Sequence, residues 1–359
     1  DWYVRHARRI LQERAAAGQD MSEAHASLRK MFDDNPDVTR KLRVIWTLYS
    51  TGGTTDEWLV ELLSHGSEHV RSWAVRLLVD VEPPSDAIVK QMSEMVSAEE
   101  SWLVQMSLAS AMQRMPVGLR WPIASALTSR LTESSDPNLQ RMIWYAIQPE
   151  VIADPQRAIT TAKHATSRIR RWTARRLTEH SAKSAEFLFE QLGRIDQSEA
   201  ITDFLNGFND GLPSLEIGEL PPSVGRVAGE LVKHGDVEVR LAAVRAAAAV
   251  GDDTTLKRIR ELLHDTQADP QTRLAALSGL ARRNHSELGN DLQRLINEGQ
   301  LTTAALQAAS AINDPDFAEK VVARYSKFAK ADRNAVIDFL VARKAGARLL
   351  VSAIEQKQI

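Results

Sequence analysis

The feature that most constrains this chain is a short sequence unit that recurs along its whole length. One copy runs from Ser67 to Leu78 and reads as a polar turn, a Val-Arg pair and then apolar residues at helical spacing. With Arg71 taken as the anchor, equivalent positions fall at or near Arg5, Lys41, Arg71, Gln105, Gln140, Arg170, Leu205, Arg240, Arg273, Gln307 and Asn334. Successive anchors lie 27 to 36 residues apart, which is typical of stacked pairs of helices.

Each unit predicts two helices. Around the anchor, apolar residues at −1, +3, +4 and +7 form one stripe on a 3.6-residue helix, which we name the second helix of the unit. Stripes between the anchors predict first helices, for example over 58–63, 88–95, 187–192, 227–232 and 256–263. Pro after a polar residue marks the turns, because Asp or Asn caps a helix and Pro fits its first turn. The pairs are Asn35-Pro36, Glu82-Pro83, Asp136-Pro137, Asp154-Pro155, Asp269-Pro270 and Asp314-Pro315.

No strand or hairpin pattern interrupts the helical one. The sequence therefore predicts an all-α fold, an α-α superhelix of about ten to eleven helix pairs that covers residues 1–359 as one solenoid. The stretch 209–222 contains Gly and Pro and few stripe residues, so it predicts an irregular connection and a bend. The half after it is rich in Ala, which predicts close helix packing there. Both ends fall within a repeat, so we expect the chain to be a fragment of a longer protein.

Composition excludes several functions. Lys and Arg number 45 against 47 Asp and Glu, a net charge of −2, which gives no global attraction to nucleic acid or to a membrane surface. The chain has no Cys, so thiol catalysis, disulfides and thiolate metal sites are ruled out. No apolar run is long enough to span a bilayer, and we expect no membrane insertion in this segment.

The Asp-x-x-Val-Arg turn with this period resembles the HEAT repeat family, and the resemblance extends over essentially the whole chain. It implies an armadillo-like α solenoid, a fold that serves many functions. In that family the turn Asp and the anchor Arg commonly pair across adjacent repeats. Asp236 with Arg240 and Asp1 with Arg5 match the pattern, whereas Gln105 and Gln140 depart from it.

Three segments at the N-terminal end, residues 1–14, 41–48 and 68–78, resemble large multidomain proteins of planctomycete- and verrucomicrobium-type bacteria. Those proteins are similar to membrane-bound sugar dehydrogenases in an N-terminal propeller, followed by a HEAT region and a haem-binding cytochrome c domain. The resemblance implies that this chain is the HEAT region and that it is extracytoplasmic or periplasmic. It has no Cys-x-x-Cys-His motif, so haem would belong to a flanking domain and no cofactor is expected here.

Two features are candidates for binding a partner. Arg170, Arg171, Arg175 and Arg176 surround Trp172, together with Arg168, and arginines beside an aromatic ring can hold phosphate and stack a base. Trp73 and Trp172 share offset +2 from their anchors, at the edge of the apolar stripe, where an aromatic residue either contacts a partner or packs between units.

No catalytic or metal site is predicted. His65 and His69 are four residues apart, but Gly66 lies between them at a turn and no third ligand is evident. Motifs for nucleophilic catalysis or phosphate binding do not occur. The sequence favours a non-catalytic scaffold that docks a protein partner or flanking domains of the same chain. The alternative is a nucleic-acid-binding protein, similar to DNA glycosylases built from HEAT-like repeats, that uses the cluster around Trp172.

Overall fold

The structure is a computed structural model, and it describes residues 2–216, 218, 220–283, 287–310, 315–357 and 359. Throughout these ranges the fold is all-α, with twenty-two α-helices and no strand. First and second helices alternate in chain order, so the predicted α-α solenoid of ten to eleven helix pairs is confirmed. The helices group into two compact units, residues 1–169 and 170–359, and each is described by itself.

The first unit contains the helices up to α10. Its second helices are α1 (Trp2–Ala16), α3 (Val38–Ser50), α5 (Glu68–Leu77), α7 (Trp102–Ala111) and α9 (Pro137–Ala153). Its first helices are α2 (Ser22–Asp34), α4 (Asp56–Glu61), α6 (Asp86–Val96), α8 (Trp121–Thr128) and α10 (Pro155–Ala162). Each second helix from α3 to α9 packs against the one before it, and this contact carries the apolar stripes.

The second unit begins within α11. Its second helices are α11 (Ser167–His180), α13 (Ser198–Gly211), α15 (Val237–Val250), α17 (Pro270–Arg283), α19 (Thr302–Ala309) and α21 (Arg333–Val341). Its first helices are α12 (Ala182–Leu192), α14 (Pro222–Leu231), α16 (Asp253–His264), α18 (Leu288–Glu298), α20 (Pro315–Ala323) and α22 (Lys344–Glu355). All eleven anchor positions predicted from the repeat lie in second helices, α1 to α21.

The predicted capping chemistry holds at three Asp-Pro turns. Asp136, Asp154 and Asp269 accept hydrogen bonds from backbone N–H groups of the helices that follow them, and the adjacent Pro begins each helix. After Asn35-Pro36 the helix starts later, because Asp37 is the cap of α3. After Glu82-Pro83 the cap of α6 is Ser85. Asp314 lies outside the described residues.

The anchor side chain closes its own turn, and this corrects the predicted pairing with the turn Asp. Arg240 donates to the carbonyl oxygens of His234 and Gly235 at 2.9 and 2.7 Å, while Asp236 caps α15 by accepting from its backbone N–H groups. The anchor therefore binds main-chain acceptors of the turn before its helix, where a negative partial charge attracts a cation. The predicted Asp1–Arg5 pair cannot be compared, because Asp1 lies outside the described residues.

The glutamines at the anchor have the same role. Gln105 donates to the carbonyl of Glu99 at 2.9 Å, and Gln140 donates to the carbonyl of Ser135 at 3.0 Å. An amide N–H reaches a carbonyl as well as a guanidinium does. The departure of both residues from the Arg pattern thus leaves the turn closed.

Some anchor side chains also reach into the next repeat unit. Arg71 makes a two-fold hydrogen bond with the buried carboxylate of Glu99 at 2.7 and 2.8 Å. Burial on its own would raise the pKa of Glu99, but hydrogen bonds from Arg71 and from the Ser101 N–H outweigh it and lower that pKa. Arg170 pairs with Glu199 and Asp203 in the same manner. The acid that pairs with an anchor therefore lies just before the following second helix, as Glu99 does, or in the first two turns of that helix, as Glu199 and Asp203 do.

The connection predicted over 209–222 begins later than expected. Helix α13 continues to Gly211, and a short 3₁₀ turn follows over Leu212–Ser214. Helix α14 begins at Pro222, and residues 217 and 219 of the connection lie outside the described ones. The prediction of a bend and of one continuous solenoid stays a prediction.

Close helix approach occurs in the second unit, where Ala and Gly were expected to allow it. A Cβ placed on Gly279 of α17 would lie 2.5 Å from the Ala248 Cβ and 2.5 Å from the Arg245 carbonyl oxygen, both in α15. A Cβ on Gly207 of α13 would lie 2.2 Å from the Arg171 carbonyl oxygen. Both glycines thus have a packing role.

Candidate partner-binding groove

The second helices of the first unit carry a groove with a volume of about 540 Å³. Its side chains come from α5, α7 and α9 and from the turns that follow α5 and α7. The lining includes Trp73, Arg76, Asp80, Met106, Arg114, Asn138 and Met142. These residues fall mainly at +1, +2, +5 and +9 from their anchors, which is the side of the second helix opposite the buried stripe. We name the surface formed by these positions the second-helix face.

Trp73 lies between its neighbours in the stack and remains half-exposed in the groove. Its ring meets that of Trp46 on α3 edge-on, with centroids 5.1 Å apart, a favoured geometry for aromatic pairs. On its other side the Arg76 guanidinium lies 5.2 Å from the ring centroid, within cation–π distance. Trp73 therefore packs between successive repeat units and also contributes to an accessible apolar wall.

Asp80 joins three successive repeat units at the rim of the groove. The Tyr49 hydroxyl donates to Asp80 Oδ2 at 2.7 Å, and Arg114 donates to Asp80 Oδ1 at 3.1 Å and to its carbonyl oxygen at 2.7 Å. Burial, the hydrogen bond to Asp80 and the charge of that carboxylate raise the pKa of Tyr49 to about 12, against the opposing charge of Arg114. The groove thus has a rim fixed by polar contacts.

The groove combines an apolar wall with an unneutralised cation. Met106 and Met142 supply flexible, polarisable side chains that adapt to a partner surface. Arg76 is exposed, and no carboxylate of the described residues lies within ion-pair distance of it. Asp80, the acid in the lining, is engaged by Tyr49 and Arg114. Such a site can hold an apolar side chain that has a negative group beside it.

The predicted basic cluster lies on α11, and its charges are largely paired within the second unit. Arg170 is buried and binds Glu199 and Asp203 at 2.5 and 2.7 Å. Arg171 makes a two-fold contact with Asp210 at 2.5 and 3.1 Å, which raises the pKa of Arg171. Three carboxylates therefore take up the charge of two of the predicted arginines.

The remaining members of the cluster differ in exposure. Arg175 is exposed and pairs with Glu179 at 2.6 Å on the same helix. Trp172 and Arg176 are half-buried, and the Arg176 Nε is a buried donor without an acceptor in the described part of the chain. Trp73 lies within residues 1–169, so the six predicted residues divide between the two compact units.

The two histidines singled out for metal binding have structural positions. His65 follows the 3₁₀ turn after α4, and its Nδ1 accepts from the Ser67 N–H at 3.0 Å. His69 lies in α5, whereas His65 lies in the turn before that helix, so the two residues do not share a helix face. Burial, then the charges of Lys41 and Arg71, lower the pKa of His65. Among the described residues there is no group of three or more side chains that could hold a metal ion.

Sequence reasoning identified Trp73 but missed Met106, Met142 and Arg76. The spacing of the repeats does mark two of them, because Trp73, Met106 and Met142 stand at offset +1 or +2 from the anchors of three successive repeat units. Large apolar residues outside the stripe, repeated at one offset, indicate an exposed apolar surface. The signal was weak because these two offsets carry mixed residue types in other repeat units, such as Arg43, Gly207 and Leu274.

The comparisons with known proteins bear on the repeat type alone. Residues 226–313 match the family model described as HEAT repeats, so the resemblance to HEAT repeats is confirmed for that part of the chain. A crystal structure of an engineered protein from a structural genomics consortium is similar over 93% of this chain and 94% of its own, with 16% identity and a TM-score of 0.30. That similarity carries no argument about function. No curated protein matches the chain.

Within the described residues no helix is long and apolar enough to cross a membrane.

Proposed function

We propose that this chain is a non-catalytic HEAT-type scaffold that binds a protein partner in the groove lined by Trp73, Met106 and Met142. The observation that supports the proposal is the groove itself, an accessible apolar surface of aromatic and Met side chains beside an unpaired guanidinium. Aromatic and Arg side chains dominate the binding energy of protein interfaces. A repeat scaffold presents such surfaces on the exposed side of successive helices.

The expected partner segment has a large apolar residue next to an acidic one. The apolar side chain would lie against Trp73 and the two methionines, where it is removed from water. The acidic group would pair with Arg76, whose guanidinium can bind a carboxylate through two parallel hydrogen bonds. Arg114 adds less to this contact, because Asp80 already holds it.

A random dodecapeptide library displayed on phage tests the proposal. We expect panning on the wild-type chain to enrich sequences with a Leu, Phe or Trp beside Asp or Glu. Binding of the selected peptide, measured by calorimetry, should weaken about thirty-fold or more in Trp73→Ala, since truncation of a central aromatic contact costs about 2 kcal/mol or more.

Trp102 provides the matched control. It is a half-exposed Trp at the start of α7 and does not line the groove. Trp102→Ala should bind the selected peptide like the wild type. Equal losses in both variants, or enrichment of sequences with no apolar residue in common, would overturn the proposal.

Nucleic-acid binding is the less favoured function. Phosphate binding depends on Lys and Arg charges that are free to replace counterions. In the cluster around Trp172, Arg170, Arg171 and Arg175 pair with carboxylates instead. The charge of the whole chain, −2, adds no general attraction.

The setting of the scaffold in an exported dehydrogenase-like or haem-binding protein stays a prediction that rests on the N-terminal resemblance. In that setting the partner is a flanking domain of the same protein, and the segment itself holds no cofactor. The sequence that adjoins this one in its reading frame tests the setting. A downstream Cys-x-x-Cys-His motif would support it, and flanking sequence without propeller or cytochrome domains would contradict it.

A further inference from the structure

In the second unit, one turn of α13 gathers three guanidinium groups from three other helices. Arg171 of α11 binds the Asp210 carboxylate at 2.5 and 3.1 Å. Arg245 of α15 donates to Asn206 Oδ1 at 2.8 Å, and Arg282 of α17 donates to the carbonyl oxygen of Asn209. Residues 206, 209 and 210 span about 6 Å along the helix axis. The three arginines are therefore held close together on the second-helix face.

The charges of this turn are not balanced. Asp210 neutralises Arg171, but within the described residues no carboxylate lies at ion-pair distance from Arg245 or Arg282. Both of these side chains bond only to neutral oxygens there. A guanidinium has five N–H donors, so each has donors left for an incoming acceptor. Arg282 is exposed and Arg245 is half-buried, which makes the pair reachable from solvent.

The surroundings show that the pair is held together at an electrostatic cost. Burial, followed by the charges of Arg282 and Arg171, lowers the pKa of Arg245, while Glu238 and Asp210 oppose this effect. An anion between the two guanidinium groups would reduce the repulsion between their charges and accept hydrogen bonds from their remaining N–H donors. The neighbouring Arg171–Asp210 contact shows how a carboxylate fits this face.

We propose that Arg245 and Arg282 form a binding site for a carboxylate of an acidic protein segment. Asn206 and the Asn209 carbonyl hold the two guanidinium groups in place through hydrogen bonds. A carboxylate suits the site because Arg171 on the same face already holds the Asp210 carboxylate through two hydrogen bonds. The site belongs to the second unit and does not depend on the groove of the first unit. Failure of the groove proposal therefore leaves this one standing, and the reverse also holds.

Fluorescence anisotropy with a labelled hexaglutamate peptide at low salt tests the site. We expect binding to the wild-type chain, with hexaglutamine showing none. Arg245→Gln combined with Arg282→Gln should weaken hexaglutamate binding about ten-fold or more, because charge-assisted, two-fold hydrogen bonds are lost. Arg245→Lys combined with Arg282→Lys retains the charge and should recover part of the affinity, since Lys lacks the planar fork.

Arg258→Gln is the matched control, because Arg258 is an exposed arginine on α16, a first helix of the same unit. Combined with Arg226→Gln on the first helix α14, where Arg226 is also exposed, it removes the same two positive charges as the double Gln variant and should leave the affinity within about two-fold of the wild type. The melting temperature of each variant checks folding. Equal weakening by this Arg226–Arg258 control, unchanged binding in the Arg245–Arg282 double Gln variant, or tighter binding of an oligothymidylate strand than of hexaglutamate would overturn the assignment.

Discussion

In several repeat units the anchor side chain binds main-chain carbonyls, whether or not it also forms an ion pair. Arg71, Gln105, Gln140 and Arg240 all donate to carbonyl oxygens of the turn that precedes their helix. These carbonyls lie near the C-terminal end of a first helix or its turn, where helical partners are missing. At these four positions the anchor therefore acts through its N–H donors, and its charge matters where an acid of the next repeat unit is within reach, as Glu99 is for Arg71.

Arg240 allows a test of this role. Arg240→Gln keeps a donor toward the His234 and Gly235 carbonyls and should change the free energy of unfolding by less than about 1 kcal/mol. Arg240→Met keeps the aliphatic length but removes the donor, so it should cost about 1–2 kcal/mol. Chemical denaturation of both variants makes the comparison. Equal destabilisation would contradict a role based on hydrogen bonding.

Tyr49 allows a second test at the same scale. Its pKa is raised from 10.0 to about 12, so the folded state favours the neutral phenol. The stabilisation is complete below pH 10 and is lost as the pH rises through about 12, so the chain should lose stability over that interval.

Ultraviolet titration of phenolate absorbance measures this pKa directly. Tyr49→Phe identifies the late-titrating signal among the four tyrosines of the chain. Asp80→Asn should shift that signal to lower pH, because it removes the negative charge that opposes ionisation. A Tyr49 signal that titrates near pH 10 in the wild type would show that the Tyr49–Asp80 contact is not formed.

At the scale of the element, glycine sets how closely the second helices of the second unit approach. Gly207→Ala would place a Cβ 2.2 Å from the Arg171 carbonyl oxygen and 2.8 Å from the Ala174 Cβ. We expect a loss of about 1–3 kcal/mol in the free energy of unfolding, since overpacking forces the backbone to move. Thermal or chemical unfolding measures the change.

Gly289→Ala is the matched control for Gly207→Ala. Gly289 also lies inside a helix, α18, but no atom lies within 4 Å of a Cβ built there. Alanine should leave stability unchanged or raise it by up to about 1 kcal/mol, through its better helix propensity. Destabilisation of similar size at both positions would show that helix contact is not the reason for Gly207.

The elements themselves were predictable from the repeat, because the stripe and the anchor occur together in every unit. All eleven anchors lie in second helices, and the caps at Asp136, Asp154 and Asp269 form as expected. The partner of each anchor was not predictable. Whether Arg240 contacts Asp236 or a carbonyl depends on the path of a turn, which residue spacing does not determine.

The candidate site was predictable only in part for a similar reason. Trp73 stood out as a rare residue at a repeated offset, but Met106 and Met142 resemble ordinary core residues in the sequence. The arginines around Trp172 read as a basic cluster because their acids, Glu199, Asp203 and Asp210, come from another helix more than 25 residues later. Such charge compensation appears only once the helices are stacked.

At the scale of the whole molecule, the same register positions serve different chemistry in the two units. On the second-helix face the first unit carries an apolar groove, and the second unit carries arginines from α11, α15 and α17. Because stripe positions are committed to stacking, partner recognition in a repeat protein falls to the positions opposite the stripe. This division is consistent with a scaffold whose net charge is close to zero.

Methyl NMR of methionine tests the groove most directly, because the eight Met residues of the chain include two in its lining. The selected peptide is titrated into protein labelled with ¹³C at the Met methyl groups, with each signal assigned by substitution. We predict shifts of the Met106 and Met142 signals and none for Met31, which is exposed on the first helix α2. Shifts of Met31 with unchanged Met106 and Met142 signals would contradict binding on the second-helix face.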